Sequence, residues 1–242
     1  MIQKTDRRSN SYRPAVGLSI VPGTQTVPGR QTVPGRQIVP GRQMNKNVER
    51  GQVTRAHLID VATRLFAAHG YDGTTIEAVL ADSGVSRGSL YHHFAGKDAL
   101  FWAVLEGVGT RVGAQVADAM RDAGDPVAAL RAGCLALIRL AGDPVVQQTM
   151  LIDAPAVLGW RRWRELDEQA LGEIRAALTY AADAGSIERR HVDAFAHIVL
   201  AAVNEVTQMI AGAGDPAAAL SAGESAVAEF LDRLLGDRAA TT

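Results

Sequence analysis

The chain has 242 residues, 47% of them hydrophobic, 21% charged and only 5% aromatic, which allows one large or two modest domains and favours helices over sheets. The single cysteine, Cys134, excludes a disulfide framework or a multi-thiolate metal site and reads as a small buried apolar residue; no apolar run approaches the ~20 residues of a membrane helix, and residues 1–10 lack the apolar core of a secretory signal, so a cytoplasmic protein without a membrane partner is expected. The net charge of -1 divides into +6 over residues 1–43, zero over 44–100 and -7 over 101–242, so a contact with nucleic-acid phosphate has to come from clustered groups upstream of the acidic C-terminal body.

Residues 1–50 read as a basic tail rather than a domain. Between Val21 and Met44 a six-residue unit occurs four times, as VPGTQT, VPGRQT, VPGRQI and VPGRQM. Each Pro fixes φ and each Gly frees it, which favours turns over regular structure. A passive tail, an electrostatic DNA arm and translation from Met44 are three readings of this stretch.

From Thr54 the pattern turns helical. Leu58, Val61, Ala62, Leu65 and Phe66 recur at three- and four-residue spacing up to His69-Gly70. Thr74 with Glu77 offers a capping box for a short helix ending near Asp82. Ser83-Gly84-Val85 makes a tight turn, and Ser86 caps a second short helix through Phe94. Lys97 opens a longer helix towards Met120. Asp125-Pro126, Asp143-Pro144 and Asp215-Pro216 each join an N-cap residue to a proline at the first helical position, and they start helices near 125–141, 144–153 and 215–236. Further helices fit 158–184 and 192–211, the latter stopped by Gly212 and Gly214. The expectation is an all-α fold of about nine helices, with no strand.

Two short helices joined by a glycine-containing turn form a helix-turn-helix, whose second helix lies in the major groove of DNA. In the stretch 86–94, Leu90 and Phe94 share an inward face, leaving Arg87, Ser89, Tyr91 and His92 outside. Gly88 removes a side chain where a backbone has to approach DNA closely. Arg87 can donate two hydrogen bonds to guanine, and Lys97 and nearby hydroxyls suit phosphates. His92 and His93 do not form a metal pair, because adjacent helical residues point about 100° apart. No nucleophile-base pairing, cofactor loop or metal signature stands in a recognisable context, so neither enzymatic activity nor a cofactor is expected.

The run 85–101, VSRGSLYHHFAGKDALF, together with Leu65-Phe66, Gly70-Tyr71 and Thr74-Thr75-Ile76 upstream, resembles the TetR family of regulators over residues 54–101. The resemblance implies phosphate contacts from Thr75, Tyr91, His92 and Lys97 and base contacts from Arg87, Gly88 and Ser89. It also implies a repressor that binds double-stranded operator DNA as a homodimer and leaves it when a small molecule binds. The corresponding domains are 51–98 for DNA and 99–238 for effector binding and dimerisation, with helices near 192–211 and 215–236 pairing across the dimer. Residues 151–160 with Trp163 are similar to effector domains of many such regulators.

Pockets between helices are mostly apolar with a few orienting polar groups. Met150, Leu151, Trp160, Trp163 and Phe195 supply candidate walls. Asp153, His197, Asn204 and Gln208 supply candidate polar points, the last three on one helical stripe. A hydrophobic or amphipathic effector is the expectation. An activator or effector-independent regulator of the same fold, and a small helical enzyme, are the alternatives.

Overall fold

The computed structural model describes residues 43–236, and within them the side chains of 48–157, 168 and 170–236. The repeat-bearing stretch lies outside the described residues up to residue 42, as do residues 237–242. The described chain is helical, with no strand among these residues, and forms two compact units: residues 43–110 with 144–159, and residues 111–143 with 160–236.

In the first unit, α1 (Gln43–Gly73), α2 (Ile76–Ser83), α3 (Arg87–His93) and the start of α4 (Lys97–Arg121) surround a core of Leu58, Val61, Ala62, Phe66, Val79, Leu90, Phe94, Leu100, Phe101 and Val104. The expected three- and four-residue spacing on α1 is the spacing of its buried side. Phe66 meets the edge of Phe101 with ring centroids 4.9 Å apart, and Tyr71 meets Phe101 at 5.0 Å. The helix starts at Gln43 rather than Thr54, since no proline interrupts the chain between them.

Two local expectations shift. The cap of α2 is Thr75, which accepts from the Ala78 N–H at 3.1 Å. Thr74 is buried and donates its hydroxyl to the Gly70 carbonyl at 2.8 Å, so it is not available as the cap. The break expected between helices at 153 and 158 is absent. A π-helical segment, Val146–Asp153, runs directly into the helix Ala154–Asp183. The Ala154 N–H bonds to the Thr149 carbonyl five residues back. This wider register carries the chain past Pro155, whose ring would crowd the carbonyl of an ordinary α-turn.

The second unit holds the end of α4, α5 (Pro126–Leu140), most of α6 (Ala154–Asp183), α7 (Val192–Ala211) and α8 (Pro216–Leu235). Asp125 caps α5 through the Val127 and Ala128 N–H groups at 2.8 and 2.9 Å, and Asp215 caps α8 through Ala218 at 3.1 Å, as the Asp-Pro pairs predict. At the third pair, Asp143 meets Arg111 at 3.5 Å. Arg131–Asp232 and Arg139–Glu224 join α5 to α8, with one partner advancing along its helix as the other retreats, so the two helices are antiparallel.

Helix α7 buries Val192, Ala196, Val199, Val203, Thr207 and Ile210, one face at helical spacing, and exposes Ile198 and Met209 on the other. With the short turn before it (189–211) it is long and apolar enough to cross a membrane by composition, contrary to the sequence expectation. Asp193, His197, Asn204 and Glu205 interrupt that run, and the buried face belongs to the unit's own core.

Gly223 on α8 lets α7 approach closely: a Cβ there would lie 2.7 Å from Val206 Cγ1 and 3.2 Å from Ile210 Cδ1. Val206 is short and branched and has little freedom to yield. Gly223→Ala is expected to destabilise the protein by about 1–3 kcal/mol, less the helix-propensity gain of ~0.5–1 kcal/mol. Thermal or denaturant unfolding checks this; a variant more stable than wild type would contradict the packing.

Candidate nucleic-acid interface

Helix α3 has only seven residues, too few to be stable alone, and is fixed from below. Leu90 is fully buried and Phe94 is 3% exposed. The Arg55 guanidinium covers the Phe94 ring at 5.2 Å. Ser86 caps the helix by accepting from the Ser89 N–H at 3.3 Å, and Gly84, at φ 66°, closes α2 in the left-handed conformation a glycine adopts at no steric cost. His57 on α1 reaches the Ser83 carbonyl at 3.1 Å and ties the turn to α1.

With that underside buried, Arg87, Gly88, Tyr91 and His92 are exposed and Ser89 is half-buried. A Cβ built on Gly88 would meet nothing within 4 Å, so no packing inside the protein demands glycine there. Arg87 donates to Glu77 at 2.9 Å. Glu77 is held below the usual carboxylate range first by its own backbone N–H and then by this guanidinium. Thr75, exposed, keeps its hydroxyl proton while its oxygen caps α2.

Lys97 is less free than its sequence position suggests. Its Nζ donates to the Tyr71 carbonyl at 2.7 Å and the Thr74 carbonyl at 3.1 Å, and sits 4.0 Å from the Tyr71 ring centroid. An ammonium has three donors, so one remains. Tyr71 in turn donates its hydroxyl to Asp98. Burial first, and then the Asp98 hydrogen bond, push that phenol up to about 12, so it stays protonated.

The candidate effector residues are not gathered in one unit. Met150 and Asp153 are half-buried in the first; His197 and Gln208 are exposed and Asn204 is half-buried in the second. The side chains of Trp160 and Trp163 lie outside the described residues. Asp153 accepts from the Tyr71 backbone N–H at 2.8 Å, and burial raises its pKa above the usual carboxylate value. Three ties were not legible in the sequence: Glu77 to Arg87, Asp98 to Tyr71 and Asp153 to Tyr71. Each joins positions ten or more apart.

A short helix with a buried apolar underside and a polar face on which Arg87, Gly88, Tyr91 and His92 are exposed, preceded by a capped helix and a tight turn, defines a helix-turn-helix protein. Residues 58–104 match the family model for bacterial regulatory proteins of the tetR family, and residues 127–234 match that of the tetracyclin repressor-like C-terminal domain. The HTH-type transcriptional regulator AcrR of Shigella flexneri is 34% identical over 87 residues, 36% of this chain and 40% of AcrR. The HTH-type transcriptional repressor AcnR of Corynebacterium efficiens is 35% identical over 65 residues, 27% of this chain and 35% of AcnR. The chain thus spans less than half the length of these curated relatives. A solved TetR-family transcriptional regulator from Pectobacterium atrosepticum is similar over 78% of this chain and 97% of its own, with 26% identity and a TM-score of 0.66. The chain belongs to the TetR family of transcriptional regulators.

The open space at Gly88 yields a test that separates folding from recognition. Gly88→Ala is expected to leave stability unchanged or raise it by up to ~1 kcal/mol, because alanine suits a helix better. It is expected to weaken specific DNA binding tenfold or more, a loss of at least ~1.4 kcal/mol, if the helix approaches DNA at this point. Unfolding curves and titration with labelled duplex measure the two effects.

Proposed function

We propose that this protein is a homodimeric repressor that holds operator DNA through α3 and releases it when a small hydrophobic or amphipathic molecule binds. The observation that carries this reading is the two-sidedness of α3, with Leu90 and Phe94 buried while Arg87, Gly88, Tyr91 and His92 face outward. In this reading Arg87, Gly88 and Ser89 contact bases. Thr75, Tyr91, His92 and the remaining Lys97 donor hold phosphates and set the register. Residues 51–98 serve DNA; residues 99–238 serve the effector and the dimer.

The exposed apolar side of α7, with Ile198 and Met209, supports a dimer through α7 and α8. A two-fold dimer presents two copies of α3, which must reach half-sites ~34–36 Å apart or a multiple of that. Met150, Asp153, Trp160, Trp163, His197, Asn204 and Gln208 remain the candidate effector contacts. An effector that prefers the incompetent spacing by ~10⁴-fold, about 5.5 kcal/mol, turns a 99:1 population of the competent form into 1:99. Helix α4 has residues in both units and is the candidate lever.

Two substitutions test the assignment. Arg87→Ala is expected to relax preference at one base pair per half-site, costing about 1–3 kcal/mol of discrimination. Lys97→Ala is expected to weaken binding to all sequences, flatten the salt dependence by about one phosphate contact and lower thermal stability, since two carbonyls lose their donor. Gel-shift titrations over a salt series with matched and mutated duplexes, plus thermal unfolding, provide the readouts. Wild-type-like binding by both variants would reject the site.

A further inference from the structure

Helix α1 does not end where its hydrogen-bond ladder would suggest. At Gly70 the backbone turns to φ 69°, ψ 175°, inside the span Gln43–Gly73. A positive φ there strains any residue with a side chain, and the departure from helical geometry takes the Tyr71 N–H out of the helix's own ladder. That N–H donates to Asp153 Oδ2 at 2.8 Å. The other carboxylate oxygen, Oδ1, accepts from Gln148 Nε2 at 3.1 Å. A Cβ on Gly70 would lie 3.1 Å from the same Gln148 nitrogen and 3.6 Å from Asp153 Oδ1, so the π-helical segment carrying these residues lies directly against the bend. All of these residues belong to the first unit.

The bend is connected onward. The Tyr71 carbonyl and the Thr74 carbonyl share the Lys97 ammonium, and Thr74 Oγ1 donates to the Gly70 carbonyl at 2.8 Å. Thr74 immediately precedes Thr75, the cap of α2, and therefore the start of the helix-turn-helix. The Tyr71 ring is packed against Phe66 and Phe101, so its backbone cannot move without disturbing the core.

We propose that Asp153 is a positioning residue for DNA recognition: through the Tyr71 N–H it fixes the Gly70 bend, and through Tyr71 and Lys97 the bend fixes where α2 and the recognition helix begin. Both oxygens of its carboxylate accept from groups of the first unit, the Tyr71 N–H and the Gln148 amide. The proposal rests on the reading of α3 as the DNA-contacting helix.

The test uses full-length protein and a duplex selected from a random pool by the wild type. Affinities for that duplex and for a scrambled one are measured for Asp153→Ala, Asp153→Asn and Gln148→Ala, beside thermal unfolding. Asp153→Ala should weaken binding to the selected duplex on the order of tenfold to a hundredfold, the factor a hydrogen bond to a charged acceptor is worth. Binding to the scrambled duplex should stay unchanged. Asp153→Asn, which keeps an oxygen acceptor for the Tyr71 N–H, should restore most of the discrimination. Gln148→Ala should weaken it more mildly, and decides the matter if Asp153→Ala does not fold. A lowered melting temperature with full discrimination in Asp153→Ala, or in Gln148→Ala where the former is unfolded, would overturn the proposal. If the wild type itself selects no sequence, the DNA reading fails first and this inference falls with it.

Discussion

A seven-residue helix with a glycine at its second position has too little internal hydrogen bonding to persist in water. Its existence depends on burying Leu90 and Phe94 against the core that α1 and α4 build around Phe66 and Phe101. That burial also orients it. Once two side chains four residues apart are fixed below, the polar remainder has only the solvent side available. The polar face of α3 is thus a consequence of apolar packing on the opposite side, and in the proposed function the chemistry offered to DNA depends on the integrity of that packing.

The surroundings of α3 are held by polar ties rather than by more core. Ser86 and Thr75 cap the two short helices, His57 holds the turn between them, and Lys97 clamps the carbonyls left at the end of α1. Each is worth only about 0.5–2 kcal/mol. Their effect is geometric: they fix where two short helices start and stop, to within a fraction of a turn. In the second unit the same division appears in a different form. The apolar faces of α5, α7 and α8 supply the core, while Arg131–Asp232 and Arg139–Glu224 set the register of two antiparallel helices. Those ion pairs are largely exposed and add little to stability, which leaves alignment as their main contribution.

Local rules are legible in the sequence and non-local ties are not. The buried spacing of α1, the inward pair Leu90 and Phe94, the Ser86 cap and the three Asp-Pro starts are all properties of neighbours within a turn, and they stand in the structure as expected. The capping-box rule points to Thr74 because Glu77 stands three residues on, but Thr74 gives its hydroxyl to the Gly70 carbonyl and Thr75 caps the helix instead. The boundary expected between 153 and 158 is removed by a π-helical segment that runs straight into the next helix. Asp153 carried no signal of its contact with Tyr71, eighty-two positions away. Periodicity placed His197, Asn204 and Gln208 on one stripe, and they do share the side of α7 away from its core, but periodicity alone does not say what covers that side.

The central claim is that two copies of α3 enter one DNA duplex together. Hydroxyl-radical footprinting of the full-length protein on the duplex it selects tests this most directly. The account predicts two protected half-sites related by two-fold symmetry, with centres about one helical turn (~34–36 Å) or a whole multiple apart. A single unpaired protected patch, or uniform protection without sequence preference, would contradict it.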